Sequence, residues 1–142
     1  MFNSDLNKIL KKNKNKKALI DIYSGKEITY GQLSERLIKV KRFILSHKIK
    51  QNDEVGSVLE NSVENIEFFL GSCCLNLSYF PQSCEITKYE LTNLLKKTNI
   101  KAFFVSNTTN SKIISFLKQK KIKILNIDTV DIRKIENKIY SK

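Results

Sequence analysis

Residues 52–91, NDEVGSVLENSVENIEFFLGSCCLNLSYFPQSCEITKYEL, constrain this chain more than any other stretch. A short apolar run at 55–59 meets the turn residues Glu60, Asn61 and Ser62. An amphipathic helical segment follows, then a second extended piece at 79–81 and the start of another helix. Strand, helix and strand at this spacing make a βαβ unit. Such a unit requires a parallel sheet with a right-handed crossover.

The flanking sequence continues the pattern. Residues 102–105 read as a short, wholly apolar strand, typical of a sheet covered on both faces. Residues 107–110 read as loop, 111–120 as a helix with Ile113, Ile114 and Leu117 inward, and 123–127 as a last strand. Upstream, 4–12 reads as a helix capped by Ser4 or Asp5, with Leu6, Ile9 and Leu10 on one face. Residues 18–22 read as a strand, followed by a turn at Ser24, Gly25 and Lys26.

Three helix starts carry the spacing of a capping box, in which two side chains each satisfy a backbone N–H of the first turn. Thr29 with Gln32 opens a helix whose stripe of Leu33, Leu37, Val40 and Ile44 lies opposite Glu35, Lys39 and Arg42, ending near Ser46, His47 and Lys48. Asn61 with Glu64 opens one carrying Ile66, Phe69, Leu70 and Cys73, and Thr87 with Glu90 opens one carrying Leu91, Leu94 and Leu95. The expected fold is a doubly wound α/β domain: a mostly parallel sheet of about four to five strands with helices on both faces. It divides into an N-terminal helix and basic linker (1–17), the α/β unit (18–128) and a C-terminal tail (129–142). In the tail, Ile132, Ile135 and Ile139 face one way if helical.

A length of 142 residues allows one domain with a modest core, and 41% hydrophobic with 28% charged residues is ordinary for a globular chain. No apolar run approaches the roughly 20 residues of a membrane-spanning helix. The opening MFNSDLNKILKKNKNKK places its charge after the short apolar stretch, the reverse of a secretory signal, and lacks the arginines of a transit peptide. A cytoplasmic location is expected.

The net charge of +12 raises the question of nucleic acid. Lysine supplies nearly all of it; the arginines are Arg36, Arg42 and Arg133, so the forked donor suited to phosphate and base edges is scarce. Nucleic acid is therefore disfavoured as a partner, and the run KKNKNKK at 11–17 reads as a solvated linker or helix end. Cys73, Cys74 and Cys84 have neither metal-ligand spacing nor an even count for disulfides; Cys73 and Cys74 fall on the inner part of a helix as small hydrophobes. His47, the one histidine, sits where a helix ends and tolerates partial positive charge. No Ser/His/Asp set, metal cluster or paired carboxylate signature is present, so no catalytic, cofactor-binding or metal residue is assigned.

The order of several short motifs resembles the N-terminal part of the adenylate-forming enzymes, the superfamily of acyl-CoA synthetases, luciferases and peptide-synthetase adenylation domains. ALID at 18–21 is similar to the strand that opens those enzymes, and ITYGQL at 28–33 to their T-Y-x-x-L helix start. NDEVGSVLENS at 52–62 resembles G-D-x-V-x-x-x-x-x-N-S. Pro81 with 85–91 resembles P-x-N-P-x-x-T-x-x-E-L, in wording closer to acyl-CoA synthetases. The resemblance runs from about residue 18 to about 106. Asn52 and Asn76 stand where the family has glycine, and Ser83-Cys84 where it has Asn-Pro.

The resemblance implies ATP-dependent activation of a carboxylate to an acyl-adenylate in the whole enzyme, with ATP and magnesium as cofactors. For this chain alone neither is expected. The family's Ser/Thr/Gly-rich phosphate loop ending in Pro-Lys-Gly has no counterpart: Gly25, Gly31, Gly56 and Gly71 are scattered, and SNTTNS at 106–111 lacks glycine and the closing lysine. The family's adenine-binding aromatic, metal-binding Glu, ribose-binding Asp and catalytic Lys belong to later segments, so none is transferred to a residue here. The expectation is an N-terminal fragment or split half of such a ligase, inactive alone, with self-association through an exposed sheet edge. The alternative is a non-catalytic module that docks a complementary ligase half or an acidic acyl carrier protein.

Overall fold

The structure is a computed structural model and describes residues 2–129. The reading of the tail at Ile132, Ile135 and Ile139 lies outside the described residues. Helix α1 (Phe2–Lys12) leads into β1 (Lys17–Ile20) and β2 (Glu27–Thr29), then α2 (Tyr30–Ser46). The α/β layer follows as β3 (Glu54–Val58), α3 (Val63–Cys74), β4 (Ser78–Gln82), α4 (Lys88–Lys97), β5 (Ile100–Val105), α5 (Ser111–Gln119) and β6 (Lys123–Asn126), closed by a 3-10 turn at Ile127–Thr129.

Four parallel strands form the sheet in the order β4-β3-β5-β6. The first crossover runs one way from β3 and the next returns past it, so the winding reverses at β3. Helices cover both faces. Val40 and Ile44 of α2 and Phe68 of α3 pack with Val55, Ala102, Phe104 and Leu125 on one face. Leu91 of α4 with Ile113 and Leu117 of α5 packs with Val58, Phe103 and Val105 on the other. Gly56 is required where β3 meets β5, because a Cβ there would sit 2.5 Å from the Phe103 ring.

The expected first strand does not join this sheet. β1 pairs antiparallel with β2 in a separate two-stranded ribbon, and 21–24 turns back on the Asp21 carboxylate, which accepts from the Tyr23 and Ser24 amides. A third core beneath the ribbon gathers Leu10, Ile28, Leu33, Leu37 and Val63. In the basic run at 11–17 the lysine side chains are exposed and Lys11 and Lys12 end α1, while the backbone is tied to the fold: the Lys14 and Lys16 carbonyls accept from the Gly31 and Tyr30 amides, and Lys17 begins β1. Helix α1 starts at Phe2, ahead of the expected caps, and Ile9 faces solvent.

Two capping boxes form as expected, Thr29 with Gln32 and Thr87 with Glu90. The expected Asn61–Glu64 box does not. Ser62, one residue later, caps α3 by accepting from the Asn65 amide at 3.1 Å, and Glu64 is taken by cations. The buried face of α3 also differs from the expected one: Val63, Glu67, Phe68, Gly71 and Ser72 are buried, while Ile66 and Phe69 are exposed.

Asn52 and Asn76 both adopt left-handed backbone, at φ 70° and φ 56°. Asparagine tolerates that region because its short side chain can hydrogen-bond locally. Here the two join each other: Asn76 Nδ2 donates to Asn52 Oδ1 at 2.6 Å, and the Asn52 amide to the Asn76 carbonyl at 3.1 Å. Ser83 turns the chain into α4 by accepting from the Glu85 and Ile86 amides.

Candidate functional site

Open α/β sheets bind ligands outside the carboxyl ends of their strands, where the winding reverses. Here that place is the crevice between the β3–α3 and β5–α5 loops. It holds about 200 Å3 and is lined by Leu59, Glu60, Ser62, Glu64, Ser106, Thr108, Ile127 and Asp128.

Its walls are fastened by hydrogen bonds. Thr109 is buried and donates from Oγ1 to the Val58 carbonyl at 2.9 Å, while the same oxygen accepts from the Ser106 amide at 2.9 Å. The Thr109 amide donates to the Ser106 carbonyl, and the Thr108 amide to Ser106 Oγ. Asp128 accepts from the Asn107 amide at 2.6 Å, and Asn126 Nδ2 donates to Asn107 Oδ1. Asn110 then caps α5 by accepting from the Lys112 amide.

Each amide from Ser106 to Thr109 is therefore consumed inside the protein, whereas a phosphate cradle needs several free N–H groups converging on one point. The opposite wall adds the Glu60 and Glu64 carboxylates. Among the described residues, Ser106 to Thr109 thus leave no free backbone donor for an anion in this crevice. No group of three His, Cys, Asp or Glu side chains among those residues could hold a metal ion.

Behind Glu64 lies a charge network that the sequence does not announce. Glu67 is 1% exposed and is gripped by two donors of the Arg36 guanidinium, Nε to Oε1 and Nη2 to Oε2. Glu64 accepts from Lys26 at 2.7 Å and lies 3.7 Å from Arg36. Burial outweighs the guanidinium at Glu67 and pushes its carboxyl up. At the half-exposed Glu64, burial acts upward too, but Lys26, the helix amide and Arg36 together hold the carboxyl below its ordinary value. The network ties α2 to α3 and the ribbon turn; its members are engaged with one another.

The other residues singled out from sequence stay apart. His47 caps the C-terminus of α2, with its ring against Phe43 at 4.5 Å and Nδ1 2.9 Å from the Phe43 carbonyl. Burial pushes the Cys73 and Cys74 thiols up, and at the exposed Cys84 burial is joined by Glu60 and Glu85. All three shifts disfavour the thiolate that a nucleophile needs. Among the described residues no helix is long and apolar enough to cross a membrane.

Comparison with known proteins agrees with this architecture. The family model described as AMP-binding enzyme matches residues 6–140. A nonribosomal peptide synthetase of Aspergillus flavus, agiA, is 28% identical over 74 residues, covering 52% of this chain and 1% of that protein. The Mycobacterium tuberculosis fatty acyl CoA synthetase superposes with a TM-score of 0.82 at 16% identity, covering 93% of this chain and 28% of that one. A luciferase-like enzyme from the nonluminescent Zophobas morio mealworm gives 0.76 at 21% identity, covering 88% of this chain and 29% of that one. The chain thus spans under a third of these solved structures and a far smaller part of the peptide synthetase. At such identities the structural likeness speaks for the fold.

Proposed function

Since the chain belongs to the AMP-binding enzyme family, we propose that it supplies the N-terminal α/β scaffold of an acyl-CoA synthetase-like, AMP-dependent ligase and does not activate a carboxylate by itself. In the complete enzyme, the carboxylate displaces pyrophosphate from ATP to give an acyl-adenylate, and a thiol then displaces AMP. The observation that carries this reading is the crevice at the winding reversal. Its loop amides are spent internally and its rim is acidic, so the phosphate-binding function falls to polypeptide that completes the fold.

A second observation supports completion by further polypeptide. Ile20, Ile22, Tyr23 and Ile66 are exposed around one groove of about 200 Å3 beside the start of α3. Phe69 continues this apolar surface along α3 toward Tyr79, with ring centroids 5.5 Å apart. Contiguous apolar surface of this kind marks an interaction face. The chain alone is expected to self-associate through it.

The test begins with the coding DNA beyond codon 142, read in all three forward frames, and with calorimetric titration of the purified chain with ATP and magnesium. The reading expects a Ser/Thr/Gly-rich loop ending in Pro-Lys-Gly to be encoded, and no heat of ATP binding to this chain. Saturable ATP binding by these 142 residues would overturn it.

A further inference from the structure

The opposite end of the same sheet is a different surface. Residues 91–127 contain eight lysines and no aspartate or glutamate, although the chain has 14 acidic residues elsewhere. The topology brings most of those lysines together, because α4 and α5 both end where β5 and β6 begin. Their ends frame an open groove of about 720 Å3 whose floor is Leu95, Ile100 and Ile122, with Thr98 and Asn99 between and Lys101, Lys120 and Lys121 at the rim. Lys96 and Lys97 are exposed on the last turn of α4 beside it.

The two carboxylates that reach this end from β3 and the turn before it are already committed. Asp53 pairs with Lys101 at 3.0 Å, and Glu54 accepts from the Asn99 amide at 2.8 Å. Helix C-termini favour lysine through the partial negative charge of their last carbonyls. That accounts for single lysines in a last turn. It does not account for the exclusion of every carboxylate from 37 consecutive residues, nor for an apolar floor between two lysine-bearing rims.

We propose that this groove docks an acidic amphipathic helix of a partner protein. The helix would lay its apolar stripe on Leu95 and Ile122 and set carboxylates against Lys97, Lys120 and Lys121. Charge complementarity selects the occupant. A second copy that met this groove with its own lysine-rimmed end would be repelled there. Nucleic acid fits less well: the stretch has no arginine to fork onto phosphate or base edges, and the groove offers no exposed aromatic ring for stacking, since the Phe116 ring lies under Lys120. This inference stands apart from the ligase reading and survives or fails without it.

The test uses the whole chain and three fluorescent probes at low salt: a designed Glu/Leu amphipathic peptide of about 18 residues, the same composition scrambled to destroy the apolar stripe, and single- and double-stranded DNA oligonucleotides. Anisotropy is expected to show the amphipathic peptide binding at least about tenfold more tightly than the scrambled peptide or either oligonucleotide. Binding should weaken at least about tenfold in Lys97→Glu/Lys120→Glu, two exposed positions whose exchange leaves the circular dichroism and melting of the chain essentially unchanged. Equal binding of the scrambled peptide, tighter binding of an oligonucleotide, no binding of the amphipathic peptide, or indifference to the charge reversal would each overturn the proposal.

Discussion

The two ends of the sheet share strands and differ in chemistry. At the carboxyl end, hydroxyls, amides and carboxylates are closed onto one another: Thr109 ties the β5–α5 loop to the end of β3, Asp128 holds Asn107, and the Lys26–Glu64–Arg36–Glu67 chain runs into the interior. At the amino end, lysines rim an open apolar groove and the nearby carboxylates are already paired. In this fold the carboxyl end is where ligands ordinarily bind, yet here that end is internally satisfied and the opposite end carries the unsatisfied charge. On the proposed reading the closed end acts as structure, and the open end as recognition surface.

That contrast is sharpest in the response to substitution. Arg36→Ala strands the 1% exposed Glu67 carboxylate and is expected to cost about 3–5 kcal/mol near neutral pH by urea unfolding. Its pH dependence has a definite sign. Burial already raises the folded Glu67 carboxyl above its ordinary 4.5, so the folded state binds that proton more tightly than the unfolded chain. Without the guanidinium the shift grows, and the cost of the substitution should shrink as pH falls from 7 toward the ordinary value. A cost that is small, or that grows on acidification, would mean the closed end does not depend on this pair.

Thr109→Val removes one oxygen that serves two backbone partners while preserving shape. It is expected to cost about 1–3 kcal/mol, because the Val58 carbonyl and Ser106 amide lose that partner. At the open end the effects are smaller and change sign. Lys121 holds left-handed backbone at φ 59° after α5, so Lys121→Gly should stabilise by about 1 kcal/mol, read as a raised urea midpoint with unchanged slope. Lys97→Glu/Lys120→Glu should shift stability by no more than about 0.5 kcal/mol while reducing the gain that wild type shows when salt is raised. A salt response unchanged by that reversal would show that the lysines do not act together.

The parallel sheet, its helices and two of the three caps are legible in the sequence because each depends on local spacing: apolar runs, i to i+3 caps, and left-handed positions that asparagine can fill. The misplaced cap of α3 shows the limit of that approach. Asn61 and Ser62 both suit an N-cap, and only the bond from the Asn65 amide to Ser62 distinguishes them. The ribbon escapes because β2 is three residues long and its pairing with β1 is set by the core beneath it. Arg36 and Glu67 stand 31 positions apart and meet only when α2 packs on α3; the available signal was a charged residue beside the apolar stripe of each helix. The lysine groove was half visible, as a stretch free of carboxylates, but its convergence on one sheet end requires the strand order.

ATP–pyrophosphate exchange tests the central claim most directly, run with a panel of carboxylic acids on this chain alone and on the chain co-expressed with the polypeptide encoded beyond codon 142. The account predicts no exchange above the protein-free blank for the 142 residues alone, and acid-dependent exchange when both parts are present. Acid-dependent exchange by the chain alone would contradict it.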